Sequence, residues 1–271
     1  MLGAIAGDII GSVYEFDRQK TKDFPLFTPQ STFTDDSILS VAVANVILHG
    51  GSYVEHIKIY AQRYPNPMGG YGARFSQWAQ SANMSPYNSW GNGSAMRVSP
   101  VGFAYDTLAK VLQVAKETAE VTHNHPEGIK GAQATAACIL LGRQGSNKAD
   151  IKTFIETFFG YDLSRQLSEI RKTYSFNESC QASVPESIIA FLESTDFEDA
   201  LRNVISLGGD TDTMACITGG IAEAFYGGVP VDIAQEALSR LDHPLRKTTL
   251  EFCDRYSASC GYQSPTTTIS R

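Results

Sequence analysis

The sequence predicts an all-α fold. Three observations carry that reading. Apolar residues recur at helical spacing through most of the chain, and capping residues bracket those runs. No segment shows sustained period-two alternation, and Asn92-Gly93 sits in a glycine loop rather than between two β-rich runs.

At the N-terminal end, Gly3, Gly7 and Gly11 recur at every fourth position and leave a bare stripe on one helix face. Each glycine costs roughly 1 kcal/mol of helix propensity against alanine, which close backbone packing along that stripe would offset. Thr34 reads as an N-cap, with Asp35 and Asp36 in the first turn, Ile38, Val41, Ala42 and Val46 behind them, and Gly50 closing the helix. Residues 108–121 carry Leu108, Val111, Leu112, Ala115 and Ala119 at helical spacing, and Pro126 opens a helix to Gly142. Residues 149–159 repeat the pattern, ending at Gly160. Ser183-Val184-Pro185-Glu186 has the form of a capping box opening the next helix. Asp196 opens one to Leu207, Asp212 one through Phe225, and two more span 230–241 and 245–256. No repeat or linker divides the chain, so a single domain over 1–271 is expected, with a frayed Ser/Thr-rich tail from 257 to 271.

Composition excludes several classes of function. The 271 residues are 42% hydrophobic, enough for a large core. Their formal net charge of −7, and the absence of a basic run, argue against a groove that grips nucleic acid by its phosphates, and none is expected. Asp8 interrupts the N-terminal apolar run too early for a signal peptide, and the apolar stretch from Ile38 to Leu48 is too short to span a bilayer. Five cysteines, odd in number and without C-x-x-C, read as reduced thiols. A cytoplasmic monomer is expected.

Two acidic motifs lie at helix starts beside hydroxyl residues: Phe33-Thr34-Asp35-Asp36-Ser37 and Gly208-Gly209-Asp210-Thr211-Asp212-Thr213. Helix capping accounts for any one of these residues. It does not account for the repetition of carboxylate and hydroxyl oxygens, which are the ligand set of Mg²⁺, Mn²⁺ or Ca²⁺. An EF-hand is excluded, because Ala215 and Ile221 occupy its glycine and terminal acid positions. If the two motifs meet, four carboxylates converge, and each pair at about 5 Å repels by roughly 3 kcal/mol at an effective dielectric of about 20. Two divalent ions would balance them, and Glu15 would add one further negative charge.

The loop from Ser89 through Trp90, Gly91, Asn92 and Gly93 to Arg97 has the glycine content of an anion-binding nest, although a plain Gly/Asn turn beside a core tryptophan would look the same. His123-Asn124-His125-Pro126 reads either as a metal-binding pair or as histidines capping a helix.

Taken in order, these motifs resemble the ADP-ribosylglycohydrolase family. The resemblance runs from Gly3-Ala4-Ile5-Ala6-Gly7-Asp8 through Tyr14-Glu15, Phe33 to Asp36, Gly91 to Arg97 and Thr122-His123 to Gly208–Thr213, and so covers most of the chain. It implies a compact, orthogonal helical bundle whose cleft holds two Mg²⁺ ions, with Mn²⁺ as the alternative. By motif position, Thr34, Asp35, Asp36, Asp210, Asp212 and Thr213 would be the metal ligands. Glu15, with Asp35 and Asp36, would be catalytic, and Ser89, Trp90, Gly91, Asn92, Gly93 and His123 would bind ADP-ribose; His125 has no counterpart. The implied activity is hydrolysis of the bond between ADP-ribose and a protein side chain, arginine favoured. Serine-linked, O-acetyl- or nucleic-acid-linked ADP-ribose, a free-nucleotide hydrolase and a non-catalytic ADP-ribose-binding module are the alternatives. Residues 63–82 contain no Asp or Glu, where some arginine-specific members carry an additional acid.

Overall fold

A computed structural model of the chain describes residues 1–17 and 19–256. Among them are fifteen helices: α1 (Leu2–Gly11), α2 (Asp35–His49), α3 (Tyr53–Arg63), α4 (Ala73–Gln80), α5 (Gly93–Met96), α6 (Ser99–Ala104), α7 (Leu108–Glu120), α8 (Pro126–Arg143), α9 (Lys148–Phe159), α10 (Leu167–Thr173), α11 (Cys180–Leu192), α12 (Phe197–Ile205), α13 (Thr211–Tyr226), α14 (Val231–Arg240) and α15 (His243–Tyr256). The β-pairing among the described residues amounts to two isolated bridges, Thr34 with Met68 and Gly91 with Ser179. The all-α expectation is met.

The centre of the fold is an antiparallel pair, α1 against α13, both almost wholly buried. The glycine stripe makes their close approach possible. A Cβ on Gly3 would stand 2.4 Å from the Gly219 carbonyl oxygen, one on Gly7 2.0 Å from that of Ala215, and one on Gly11 2.4 Å from that of Thr211. Two hydrogen bonds hold the ends of the pair: Thr211 Oγ1 donates to the Gly11 carbonyl (2.9 Å), and Gly3 N–H donates to the buried Glu223 carboxylate (2.8 Å). This register sets the C-terminal end of α1, with Asp8 and the following turn that carries Glu15, beside the N-terminal end of α13, with Asp210 and Asp212. Helices α8, α11 and α12 pack around α13, and α2 reaches both α1 and α13. A second apolar cluster, including Val98, Val101, Val111, Val114 and Leu140, joins α6, α7 and α8.

Most expected helices appear within a residue or two of their predicted limits. Thr34 caps α2, accepting from the Asp36 N–H, and Gly160 closes α9 in the left-handed conformation. Two boundaries differ. Helix α11 begins at Cys180 and carries Pro185 inside it, because Ser183 and Glu186 do not form a capping box. Ser183 Oγ instead donates to the Asn177 carbonyl (2.8 Å), and Glu186 pairs with Arg165 (2.8 Å). The helix start is fixed from outside by Cys180 N–H donating to the Trp90 carbonyl (3.0 Å). Helix α13 begins at Thr211 rather than Asp212, with Asp210 in the cap position. Helices α3, α4, α5, α6 and α10 escape the sequence reading because they are short or mostly polar: α4 buries only Phe75, Trp78 and Ala79, and α5 has four residues.

The predicted tail at 257–271, with Cys260, lies outside the described residues, and the other four cysteines are buried. No helix among the described residues is long and apolar enough to cross a membrane.

The stripe makes a direct prediction. In Gly7→Ala the added methyl meets backbone on α13 rather than a side chain that can turn away, so overpacking should outweigh the gain in helix propensity and cost about 1–3 kcal/mol net. Gly72→Ala, where a Cβ would meet nothing within 4 Å, should leave the thermal midpoint unchanged. Thermal denaturation of the two variants beside the wild type checks this, and equal midpoints for all three would refute close α1–α13 contact.

Candidate active site

The acids of the two motifs meet. Thr213 Oγ1 donates to Asp36 Oδ2 at 3.3 Å across 177 residues of chain. Two groups of carboxylates have oxygens within 4.8 Å of one another: Asp8, Asp36 and Asp212 form one, and Glu15, Asp210 and Asp212 the other. Asp212 belongs to both. Asp35 is in neither group; it is half-buried and lines the adjoining cleft.

The capping explanation can now be tested residue by residue. It holds for Thr34. It fails for Asp210, whose side chain makes no cap hydrogen bond and accepts instead from Asn92 Nδ2 at 2.7 Å. Asp36 Oδ1 is buried without any hydrogen-bond partner. An orphaned carboxylate oxygen among other acids has no structural benefit to explain it, since a buried polar atom left unpaired is destabilising.

Electrostatics agree. Burial pushes the carboxyls of Asp8, Asp35, Asp36, Asp210 and Asp212 above the usual carboxylate range, and repulsion from neighbouring acids adds to this for Asp35, Asp36 and Asp212. Glu15 is pushed up to about 7, by burial first and then by Asp210, Glu178 and Asp8. The ion pairs found among the described residues include none of these acids. Carboxylate and hydroxyl oxygens outside the ion pairs of the described residues fit hard divalent cations and do not fit zinc.

Asp8 is the site residue that sequence reasoning passed over. It accepts from Thr34 N–H (3.0 Å), Thr34 Oγ1 (2.6 Å), Ser37 N–H (3.1 Å) and Ser37 Oγ, and so anchors the first turn of α2 from α1. The available signal was a single acid inside a helix otherwise made of apolar and glycine residues, every one buried.

A cleft of about 380 Å³ opens from the acids, inside the roughly 300–1,000 Å³ range of small-molecule sites. Glu15, Asp35, Asp210, Asp212 and Thr213 line it, together with Arg74, Arg97, Tyr87 and His123. Gly69 closes over the acids in a left-handed conformation (φ +74°), and a Cβ there would stand 2.9 Å from Glu15 Oε2. Thr34 and Asp36 lie beneath the cleft surface, fully buried.

The glycine loop borders the same cleft. It is held on one side by Ser89 N–H donating to the Thr122 carbonyl (3.3 Å) and on the other by Asn92 N–H donating to the Glu178 carbonyl (2.7 Å). Ser89, Gly91, Asn92, Gly93 and His123 all line the cleft. Trp90 does not: it is 48% exposed, so it is not a core residue, and it packs against His125 at 5.4 Å over a neighbouring shallow pocket. His125 caps α8, its Nδ1 accepting from Glu127 N–H at 3.1 Å. The bland reading of that histidine is therefore the correct one.

Comparison with known proteins bears on this geometry. The chain is 27% identical to the ADP-ribosylhydrolase ARH3 of Homo sapiens, over 84% of this chain and 84% of that protein. It is 25% identical to ARH3 of Xenopus tropicalis, over 84% of this chain and 86% of that protein. A solved structure titled "ADP-ribosylglycohydrolase-related protein complex" superposes with a TM-score of 0.70 at 23% identity, covering 93% of this chain and 95% of the other, and shares its fold. The family model for ADP-ribosylglycohydrolase matches residues 1–265. With its motif order, all-α fold and converging acids, this chain belongs to the ADP-ribosylglycohydrolase family.

Proposed function

We propose that the protein is a hydrolase of the glycosidic bond joining ADP-ribose to a modified protein side chain, dependent on two Mg²⁺ ions held by Thr34, Asp35, Asp36, Asp210, Asp212 and Thr213. The observation that carries this reading is the meeting of Asp36 with Asp212 and Thr213, in two acid groups that share Asp212. Asp8, which completes one of those groups, joins the acids that hold the cations.

Bound cations supply counter-charge to the buried acids and Lewis-acid polarisation beside them. The chain's own residues do the rest. In the net reaction a water oxygen bonds to the anomeric carbon of the ribose, the glycosidic bond breaks, and the departing side chain carries away a proton. Glu15, half-buried at the cleft wall with its carboxyl near neutrality, is the acceptor for the proton lost by water. Asp35 sets negative potential where oxocarbenium-like charge develops. The cleft lining carries both signs, Glu15, Asp35, Asp210 and Asp212 among the acids and Arg74 and Arg97 among the bases. In this reading the acids take the terminal ribose of ADP-ribose, and Arg74 and the Ser89–Gly93 loop take its diphosphate.

Arginine is the acceptor proposed first, because Glu15 and Glu178 at the cleft favour a cationic leaving group. A serine oxygen is the second, favoured by the absence of any acid between residues 63 and 82. Peptides carrying ADP-ribosyl-arginine and ADP-ribosyl-serine, incubated with Mg²⁺ and with EDTA, decide both points. Release of ADP-ribose from at least one of them, abolished by EDTA, is the expected result, and no release from either refutes the assignment.

Asp212→Asn should leave the chain folded and reduce the bound metal. Removing several kcal/mol of transition-state stabilisation corresponds to a loss of roughly 100- to 1,000-fold in kcat/KM. Metal analysis and initial rates check both effects, and full turnover in this variant would show the site to be misassigned.

The raised carboxyl pKa values also dictate how the metal-free protein responds to pH. A carboxyl whose pKa is higher folded than unfolded binds more protons in the native state, so stability falls as pH rises between the two values. For Glu15 that window runs from the ordinary 4.5 to about 7. The thermal midpoint in EDTA should therefore decline across this range, and Mg²⁺ should flatten the decline by occupying the ionised site. A midpoint in EDTA that rises with pH across the window would contradict the charge balance described above.

A further inference from the structure

Arg97 is fully buried, and its Nε and Nη1 have no hydrogen-bond partner. Its Nη2 donates to the Thr118 carbonyl (3.0 Å) and to Thr122 Oγ1 (2.9 Å). Thr122, also fully buried, stands 2.7 Å from Nδ1 of the neighbouring His123. A threonine hydroxyl has one proton and two lone pairs. Arg97 can only donate, so it takes one lone pair. Buried away from water, the Thr122 proton also needs a partner, and the remaining hydrogen-bond partner of Thr122 Oγ1 among the described residues is the His123 ring. The Thr122 proton then has His123 Nδ1 as its acceptor.

The imidazole is neutral here, its pKa held well below the usual histidine range by burial and by the Arg97 and Arg74 charges. A neutral ring that accepts at Nδ1 carries its proton at Nε2. Nε2 faces the glycine loop: Cβ atoms built on Gly93 and Gly91 would lie 3.3 and 3.5 Å from it.

We propose that Thr122 is a positioning residue: pinned by Arg97, its hydroxyl holds His123 in the tautomer that presents Nε2–H to the cleft, where it donates to an anionic oxygen of the substrate. Arg97 thus acts at one remove, orienting the proton of Thr122 rather than touching substrate. The identity of that substrate as ADP-ribose rests on the reading given above; the tautomer does not.

The experiment separates the two. Protein labelled with ¹⁵N-histidine is measured by two-dimensional NMR, with the His123 signals assigned by their loss in His123→Gln. The wild type should show a pyridine-type Nδ1 and a protonated Nε2. Thr122→Val keeps the shape of the side chain and removes the hydroxyl, so a population protonated at Nδ1 should appear; Thr122→Ser should restore the wild-type pattern. Calorimetric titration with ADP-ribose should show Thr122→Val weakened about tenfold, the scale of one hydrogen bond to a charged group, and Thr122→Ser within about twofold of the wild type.

A wild-type ring protonated at Nδ1 overturns the proposal. So does a Thr122→Val spectrum identical to the wild type, or an unchanged affinity in that variant. If the tautomer behaves as described while the wild type does not bind ADP-ribose at all, the positioning role stands and the substrate assignment is what fails.

Discussion

The site depends on two helix backbones lying closer together than side chains would permit. Gly3, Gly7 and Gly11 on α1 meet Gly219, Ala215 and Thr211 on α13, so the two axes are held at a separation and register that any Cβ on the stripe would disturb. Because the pair is antiparallel, the end of α1 and the start of α13 coincide. Asp8 then lies beside Asp212, and Glu15, in the turn just after α1, and Asp210, in the cap of α13, come in beside them. A site built on the ends of packed helices is more rigid than one hung on loops, and rigidity matters where oxygens must converge to within a few ångströms.

The second constraint is charge. Six acids within one small volume repel one another, and the protein supplies no lysine or arginine to neutralise them among the ion pairs of its described residues. It supplies donors instead. Asp8 is surrounded by Thr34 and Ser37, Asp210 receives Asn92, and Thr213 reaches Asp36. Hydrogen bonds from neutral groups orient the carboxylates while leaving their charge for a ligand, which is how the partners behind a metal site tune it. The lining also carries bases. Arg97 is buried with two unpaired nitrogens, and it lowers the proton affinity of His123 rather than pairing with an acid.

Much of the site was legible as motifs, and where the reading stopped it stopped for identifiable reasons. Thr34, Asp35, Asp36, Asp210, Asp212 and Thr213 stood out because hard oxygen ligands repeated at two helix starts, and local chemistry is visible in a linear chain. Asp8 was visible too, as an acid inside an apolar helix, but its partners Thr34 and Ser37 lie in another helix, so its role as an anchor had no local trace. Ser183 and Glu186 show the opposite failure. Their spacing satisfies a capping rule, yet tertiary partners at Asn177 and Arg165 claim both side chains, and the helix starts earlier. Trp90 was placed correctly in the glycine loop, but its exposure beside His125 could not be inferred from its neighbours in sequence.

What the chain alone determined is its helical periodicity, its caps, its glycine stripe and the chemical type of its ligands, because each of these is written in the spacing of residues within a few turns. The order of its motifs further identified the family. Only the tertiary structure decided which acids share a group, that Asp212 belongs to both, that Asp210 is free of capping duty, and that Arg97, Thr122 and His123 form one chain of hydrogen bonds. Those facts depend on distances between helices far apart in sequence, and such distances are set by packing of whole surfaces rather than by any local preference of the backbone.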